Sequence, residues 1–207
     1  MTPESRDATE FPLFPLRAVL FPDGLLGLKV FEARYLDLVA RCLRDRSSFG
    51  VVGLKRGGEV RRLDRPVAFE AIGTRAELIE VDSAQAGILL VRCRGTERFE
   101  VRASRQQDDG LWLAEATAIP GDESVAPPAA LSPAAAALAD AITALRSQGA
   151  EPFLDPHRLH DAGWVANRWC EILPISLAAK QRLLELRNPL VRLEIVDDYL
   201  RDKGLVP

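Results

Sequence analysis

Apolar and polar residues alternate in short runs from Phe49 to Leu54, Val67 to Val81, Ile88 to Arg94, Arg98 to Ala103 and Leu111 to Ala118. This is the period of strands. Gly57-Gly58, Gly95-Thr96 and Asp108-Asp109-Gly110 separate the runs and read as turns. Ile88, Leu90, Arg92 and Arg94 share one face while Leu89, Val91 and Cys93 share the other, and beyond Gly95-Thr96 the residues Arg98, Glu100 and Arg102 oppose Phe99 and Val101. The spacing predicts a hairpin with a charged face and an apolar face, in a half-covered sheet that avoids open edges by curling toward a barrel. One helix interrupts this half, since Tyr35, Leu38, Val39 and Cys42 fall on one face between Phe31 and Arg46.

Residues 119–133, IPGDESVAPPAALSP, combine four prolines with glycine, serine and acids, and beyond them the apolar period changes to that of helices. Residues 1–118 are therefore expected to form a β-rich domain, 119–133 a proline-rich linker and 134–207 a helical bundle. Ser132 followed by Pro133 reads as an N-cap with proline at the first helical position, Leu138, Ile142 and Leu145 make a stripe, and Gly149 follows the last turn. A second helix carries Val165, Trp169, Ile172 and Leu173 and stops at Pro174, a third begins at Ser176, and a fourth begins at Pro189 after Asn188 and buries Leu190, Leu193, Val196 and Leu200.

Composition narrows the function classes. With 207 residues, 47% of them hydrophobic, the chain can bury an ordinary core. Lys and Arg match Asp and Glu at 18 against 18 over residues 1–118 and fall to 9 against 12 over 119–207, which leaves no basic surplus for nucleic acid. Cys42, Cys93 and Cys170 are odd in number and far apart, so neither a disulfide framework nor a zinc cluster is indicated. A reducing cytoplasm fits, and nothing in the first ten residues or in any longer run reads as a signal peptide or membrane span.

The most apolar stretch, Glu10 to Tyr35, contains prolines at 12, 15 and 22, where a strand or helix would lose backbone donors. PLFPL at 12–16, VLFPDGLLGLKVFEARY at 19–35, FGVV at 49–52, GTRAELIE at 73–80, GTERFEV at 95–101 and WVANRWCEILPISLAAKQRLLEL at 164–186 together resemble the N-terminal substrate-binding domain of the ATP-dependent Lon proteases. The resemblance implies an α+β fold: a PUA-like, partly open β-barrel with one or two helices, followed by a C-terminal four-helix subdomain. It also implies that the prolines lie at strand ends and in the loop entering the barrel, with Pro22-Asp23-Gly24 as a tight turn. Ala33 departs from the family, which usually has proline at that place in the FE-x-R-Y motif.

Candidate chemistry is sparse. Full Lon proteases continue into ATPase and Ser–Lys protease modules, but no G-x-x-x-x-G-K-[ST] loop occurs here. Ser176 and Lys180 imitate a Ser–Lys pair, although Ser176 stands where an N-cap belongs. His157 and His160, beside Asp155 and Asp161, are too few for a zinc site, and Cys170 is too far along the chain from His157 to act as its nucleophile. Phe11, Phe14, Phe21 and Phe31 read mostly as core, with one or two lining a groove; Trp164, off its helix's stripe, reads as an interdomain contact. Lys55, Arg56, Arg61, Arg62 and Arg65 crowd one loop and Arg92, Arg94, Arg98 and Arg102 stud the hairpin, but Glu59, Asp64, Glu97 and Glu100 lie among them and no aromatic platform for bases does.

The leading expectation is a non-enzymatic module for unfolded or flexible polypeptide, or for a protein partner. It would use an apolar groove between barrel and helices, with the peptide entering pockets or adding to a strand edge. The candidate binding residues are Phe14, Phe21, Glu32, Arg34, Tyr35 and Trp164, and no catalytic residue, metal, cofactor or membrane partner is called for. A PUA-type RNA-binding module is the alternative. An enzyme using Glu32, Arg34 and Tyr35 is a third reading, set against a buried Glu–Arg pair that merely fixes a helix start. The oligomeric state is left open.

Overall fold

The computed structural model describes residues 9–56 and 67–207. Its contacts divide the chain into two units, Met1–Pro120 and Gly121–Pro207. The first holds strands β1 (Thr9–Leu16), β2 (Leu25–Val30), β3 (Phe49–Arg56), β4 (Ala68–Gln85), β5 (Ile88–Gln106) and β6 (Trp112–Ala118), with helix α1 (Ala33–Asp45) between β2 and β3. The strands form one mixed sheet in the order β2-β5-β4-β3-β1-β6, and a further β5–β6 pairing bends it back on itself. The result is a partly closed sheet in an α+β fold.

Two expectations about this unit need correction. The hairpin at Gly95-Thr96 does not exist: β5 runs unbroken from Ile88 to Gln106, pairing β4 from Ile88 to Glu100 and β6 from Phe99 to Gln106. Gly95 is there because another segment comes close, not because the chain turns. A Cβ on Gly95 would lie 2.2 Å from the Phe21 carbonyl oxygen, and Gly95 exchanges backbone hydrogen bonds with the 21–24 turn, its own N–H donating to Gly24 (2.9 Å) and its carbonyl accepting from Asp23 (2.8 Å). The expected alternation holds around Val91 and Cys93, which are buried, but Arg98 on the supposed charged face is buried as well. A register shift of β4 against β5 between Thr74 and Ala76 breaks the alternation at this point.

The second correction concerns the prolines. Pro12 and Pro15 lie inside β1, opposite Leu113 of β6 and Val52 of β3. The strand tolerates them because its two halves are paired on different sides: among the described residues Thr9 to Pro12 pair only β6, Phe14 to Leu16 pair only β3, and Leu13 between them pairs both. Each proline thus sits where one flank of the strand has no ladder to lose. Pro22 does occupy a tight turn, closed by Gly24 N–H donating to Phe21 (2.9 Å), with the positive φ of 59° carried by Asp23.

Helix α1 buries Tyr35, Leu38, Val39 and Cys42, as its stripe predicts. They join Phe14, Leu16, Leu20, Val30, Phe49, Val51, Val91 and Cys93 in the larger core cluster, while Phe11, Leu13, Val52 and Phe99 belong to a second.

The second unit contains α2 (Ser132–Ser147), α3 (Ala162–Ile172), α4 (Leu177–Glu185) and α5 (Pro189–Asp202). Ser176 caps α4 by accepting from Ala179 N–H, and Asn188 caps α5 by accepting from Leu190 and Val191. Asp161 caps α3 through Trp164 N–H. Ser132 does not cap α2: a 3₁₀ turn, Ala129–Leu131, runs directly into the helix, so Ser132 is already helical and its hydroxyl donates back to the Pro128 carbonyl. Helix α3 is the centre of the unit, buried on every side from Ala162 to Cys170. The buried Arg192 on α5 gathers the Leu183 carbonyl (2.9 Å), Asn167 (3.1 Å) and Asp122 (2.6 Å). Asp122 thereby ties the stretch read as a linker into this unit, as do Ser124 hydrogen-bonding Asp161 and Val125 accepting from Ala162.

Candidate functional site

In the first unit the apolar interior is open to solvent along one strand. Leu26, Leu28 and Val30 of β2 lie opposite Cys93, Val91 and Leu89 of β5, which puts them on the inner face of the sheet, while Leu25, Gly27 and Lys29 lie on the outer face. β2 ends the sheet order, so among the described residues no strand covers its far side. Beside it runs a cleft of about 370 Å³ lined by Phe14, Leu16 and Ala18, by Leu26 to Val30, and by Phe31, Glu32 and Tyr35 at the start of α1. The chain reaches this shape because β2 passes into α1 with Phe31 at the junction, where neither the strand's inner face nor the helix's stripe can bury it. Phe31 is 52% exposed.

The floor of the cleft is built of stacked rings. Phe14 and Tyr35 stack with ring centroids 3.8 Å apart and planes 6° from parallel, and Arg34 lies 4.5 Å over the Tyr35 ring. The Arg34 guanidinium, buried, donates to the Gly110 carbonyl (2.6 Å) and pairs with Glu32 (3.0 Å), so it fastens the start of α1 to the turn before β6. Glu32 supplies no side-chain cap to the helix. The 20–24 segment that leads into β2 is held by Thr74, whose hydroxyl donates to the Leu20 carbonyl (2.6 Å).

Phe14, Glu32 and Tyr35 line this cleft, and Arg34 stands behind it. Phe21 is fully buried in the first unit. Trp164 lies in the second unit, 2% exposed, packed against Phe153 and His157 with the Arg168 guanidinium 5.5 Å from its ring. Sequence reasoning missed Leu26 and Leu28 as lining, and it had Phe31 only among four phenylalanines of which one or two would line a groove. The alternation of LLGLKV directly ahead of the helix start was the available signal.

The other candidate chemistries resolve into structure. Ser176 is a cap and the Lys180 ammonium donates to the Glu171 carbonyl (2.9 Å). Among the described residues no three metal-ligating side chains come together, His157 instead packing on Trp164 and Asp161 capping α3. Burial pushes the Cys93 and Cys170 thiols up to about 12 and raises that of Cys42, so at neutral pH all three are protonated and poor nucleophiles. Of the basic residues, Lys55 pairs with Glu70, Arg92 with Glu80, Arg94 with Asp23, Arg102 with Glu100 and Arg105 with Glu10. Arg61, Arg62 and Arg65 lie outside the described residues. Among those described, no helix is long and apolar enough to cross a membrane.

The first unit is thus a partly closed mixed sheet that leaves an apolar cleft accessible, and the second is a four-helix unit. Residues 10–202 match the family model of the ATP-dependent protease La (LON) substrate-binding domain, and the chain belongs to that family. It is similar to the crystal structure of a Lon N-terminal domain protein from Xanthomonas campestris, at 34% identity and a TM-score of 0.73 over 92% of this chain and 98% of that one. The N-terminal domain of the Mycobacterium avium complex Lon protease shares the fold, with a TM-score of 0.65 at 16% identity over 94% of this chain and 99% of that one. Among curated proteins none matches the chain in sequence. The family is the substrate-recognition part of the protease, not its catalytic part.

Proposed function

We propose that this protein binds unfolded or flexible polypeptide without catalysing any reaction on it, and that the cleft between β2 and α1 is the docking site. One observation carries this reading: a preformed apolar cleft, with an exposed phenylalanine at its rim and a stacked Phe14–Tyr35 floor, that opens directly onto the core. A ligand side chain entering it leaves water without forcing the sheet to rearrange. The family's substrate-binding description supports the class of ligand. A cytoplasmic location belongs to the same reading and is supported by three free, buried cysteines.

The test is titration of a permanently unfolded, labelled polypeptide into wild-type protein and into Phe31→Ser. Phe31 is half exposed, so its loss leaves the fold intact, and burying the exposed half of a phenylalanine in the complex contributes about 0.8–1.5 kcal/mol. The variant is therefore expected to bind roughly fourfold to tenfold more weakly. Equal binding by the two proteins removes the cleft from the reading, and absence of any polypeptide binding removes the function. Mixed RNA titrated at low salt in parallel tests the alternative, which requires binding that falls steeply as salt rises.

A further inference from the structure

Resting on that reading, we infer that the ligand of the cleft is an extended strand that adds to the free edge of β2, and that its side chains must alternate, apolar toward the cleft and acidic toward Lys29. Three independent features of the cleft lead there.

The first is backbone chemistry. β2 pairs with β5 from Leu25 to Val30 and, among the described residues, with nothing on its other side. Phe14 and Leu16 of β1 line the cleft as well, and among the described residues Phe14 to Leu16 pair only β3. The cleft therefore lies beside a strand with one unpaired flank. An unpaired edge selects an extended partner, because only a strand presents N–H and C=O groups at the matching repeat.

The second is side-chain geometry. Successive residues of an added strand point to opposite faces, in step with β2. One set would lie with Leu26, Leu28 and Val30 over the Phe14–Tyr35 floor, in apolar surroundings. The other set would lie on the outer face with Leu25, Gly27 and Lys29. Gly27 leaves open space there, with no atom within 4 Å of where a Cβ would stand.

The third is charge. The neighbouring outer-face cations Arg92 and Arg94 are already matched by Glu80 and Asp23, whereas among the described residues no carboxylate pairs with Lys29, which is exposed. An acidic side chain on the outer face of the added strand would supply the missing partner, giving selectivity and faster association more than affinity.

The experiment uses fluorescence anisotropy with the full chain and four short labelled peptides: one alternating valine and glutamate, an isomer of equal composition with the valines and glutamates in two blocks, and two forms of the alternating peptide N-methylated at every second residue, one in each phase. The alternating peptide is expected to bind, the block isomer roughly tenfold more weakly or not at all, and one N-methylation phase to weaken binding to a similar degree while the other does not. Lys29→Glu, a surface change, is expected to weaken the alternating glutamate peptide and to favour its valine–lysine counterpart. Equal binding of the alternating and block peptides, or indifference to both N-methylation phases, overturns strand addition while leaving polypeptide docking at the cleft standing. Indifference to Lys29→Glu overturns the acidic preference. If unfolded polypeptide binds in a Phe31-dependent manner but none of these peptides does, strand addition is likewise overturned; if nothing binds, both the inference and the function beneath it fail.

Discussion

Cys93 and Cys170 show how little of a residue's chemistry survives burial. Cys93 sits on β5 opposite Leu26 and Leu78, and Cys170 on the fully enclosed helix α3. Desolvation raises each from an ordinary 9.0 to about 12. A thiol whose folded pKa exceeds its unfolded one favours the folded state below the unfolded value and loses that contribution as pH rises toward the folded value. Unfolding free energy is therefore expected to fall between about pH 9 and 12, more steeply in wild type than in Cys170→Ala, as measured by urea denaturation across that range. The variant will be less stable at neutral pH because of the space it leaves, but the difference between the two proteins should shrink as pH rises. A constant difference would mean that Cys170 titrates normally. The same scale explains a failure of sequence reasoning. Gly95-Thr96 has the composition of a turn, yet the glycine is needed because the Phe21 carbonyl would meet a Cβ at 2.2 Å. A close approach by a segment some seventy residues earlier leaves no local mark in the chain.

At the scale of elements, periodicity was a good guide wherever one face of an element is buried and the other is not. The α1 stripe, the stop of α3 before Pro174 and the starts of α4 and α5 all follow from it and from capping chemistry. It failed for β1, whose prolines argue against a central strand; the strand survives by changing partner halfway, and partner exchange is a property of the sheet and not of the segment. It was blind to the cleft for a related reason. Leu26 and Leu28 alternate as core residues do, and they are left half-buried because among the described residues no strand lies beyond β2. Capping supplies the element-scale prediction, because Ser132 and Ser176 look alike in sequence, each a serine at the expected start of a helix. Ser176 accepts from the Ala179 N–H and satisfies a donor the helix cannot; Ser132 only donates to Pro128 from within the helix. Ser176→Ala is expected to cost about 1 kcal/mol and Ser132→Ala close to nothing, read from paired chemical denaturation curves. Equal costs would contradict the helix starts described for α2 and α4.

At the scale of the molecule, the question is where one folding unit ends and the next begins. Composition places a linker at 119–133, because proline, glycine and acids normally mark exposed connections. The hydrogen bonds and ion pair of that stretch run into the helical unit. Asp122 pairs with Arg192, one of the most deeply buried cations in the chain, while Ser124 and Val125 bond to Asp161 and Ala162 at the start of α3. A buried arginine deprived of its carboxylate costs about 3–5 kcal/mol, comparable with the whole stability of a small domain. Two fragments therefore separate the alternatives. Residues 121–207 are expected to be helical and to unfold cooperatively, whereas residues 134–207, cut where composition puts the domain start, keep all four helices in sequence except the first two residues of α2, yet should melt far lower or without a sharp transition. Circular dichroism melts of the pair decide it, and Asp122→Asn in the longer fragment, which keeps an acceptor for Arg192 but not the charge, should fall between them. Equal melts for the two fragments would show that residues 121–133 are a tether and that Arg192 is adequately satisfied by Asn167 and the Leu183 and Leu186 carbonyls alone.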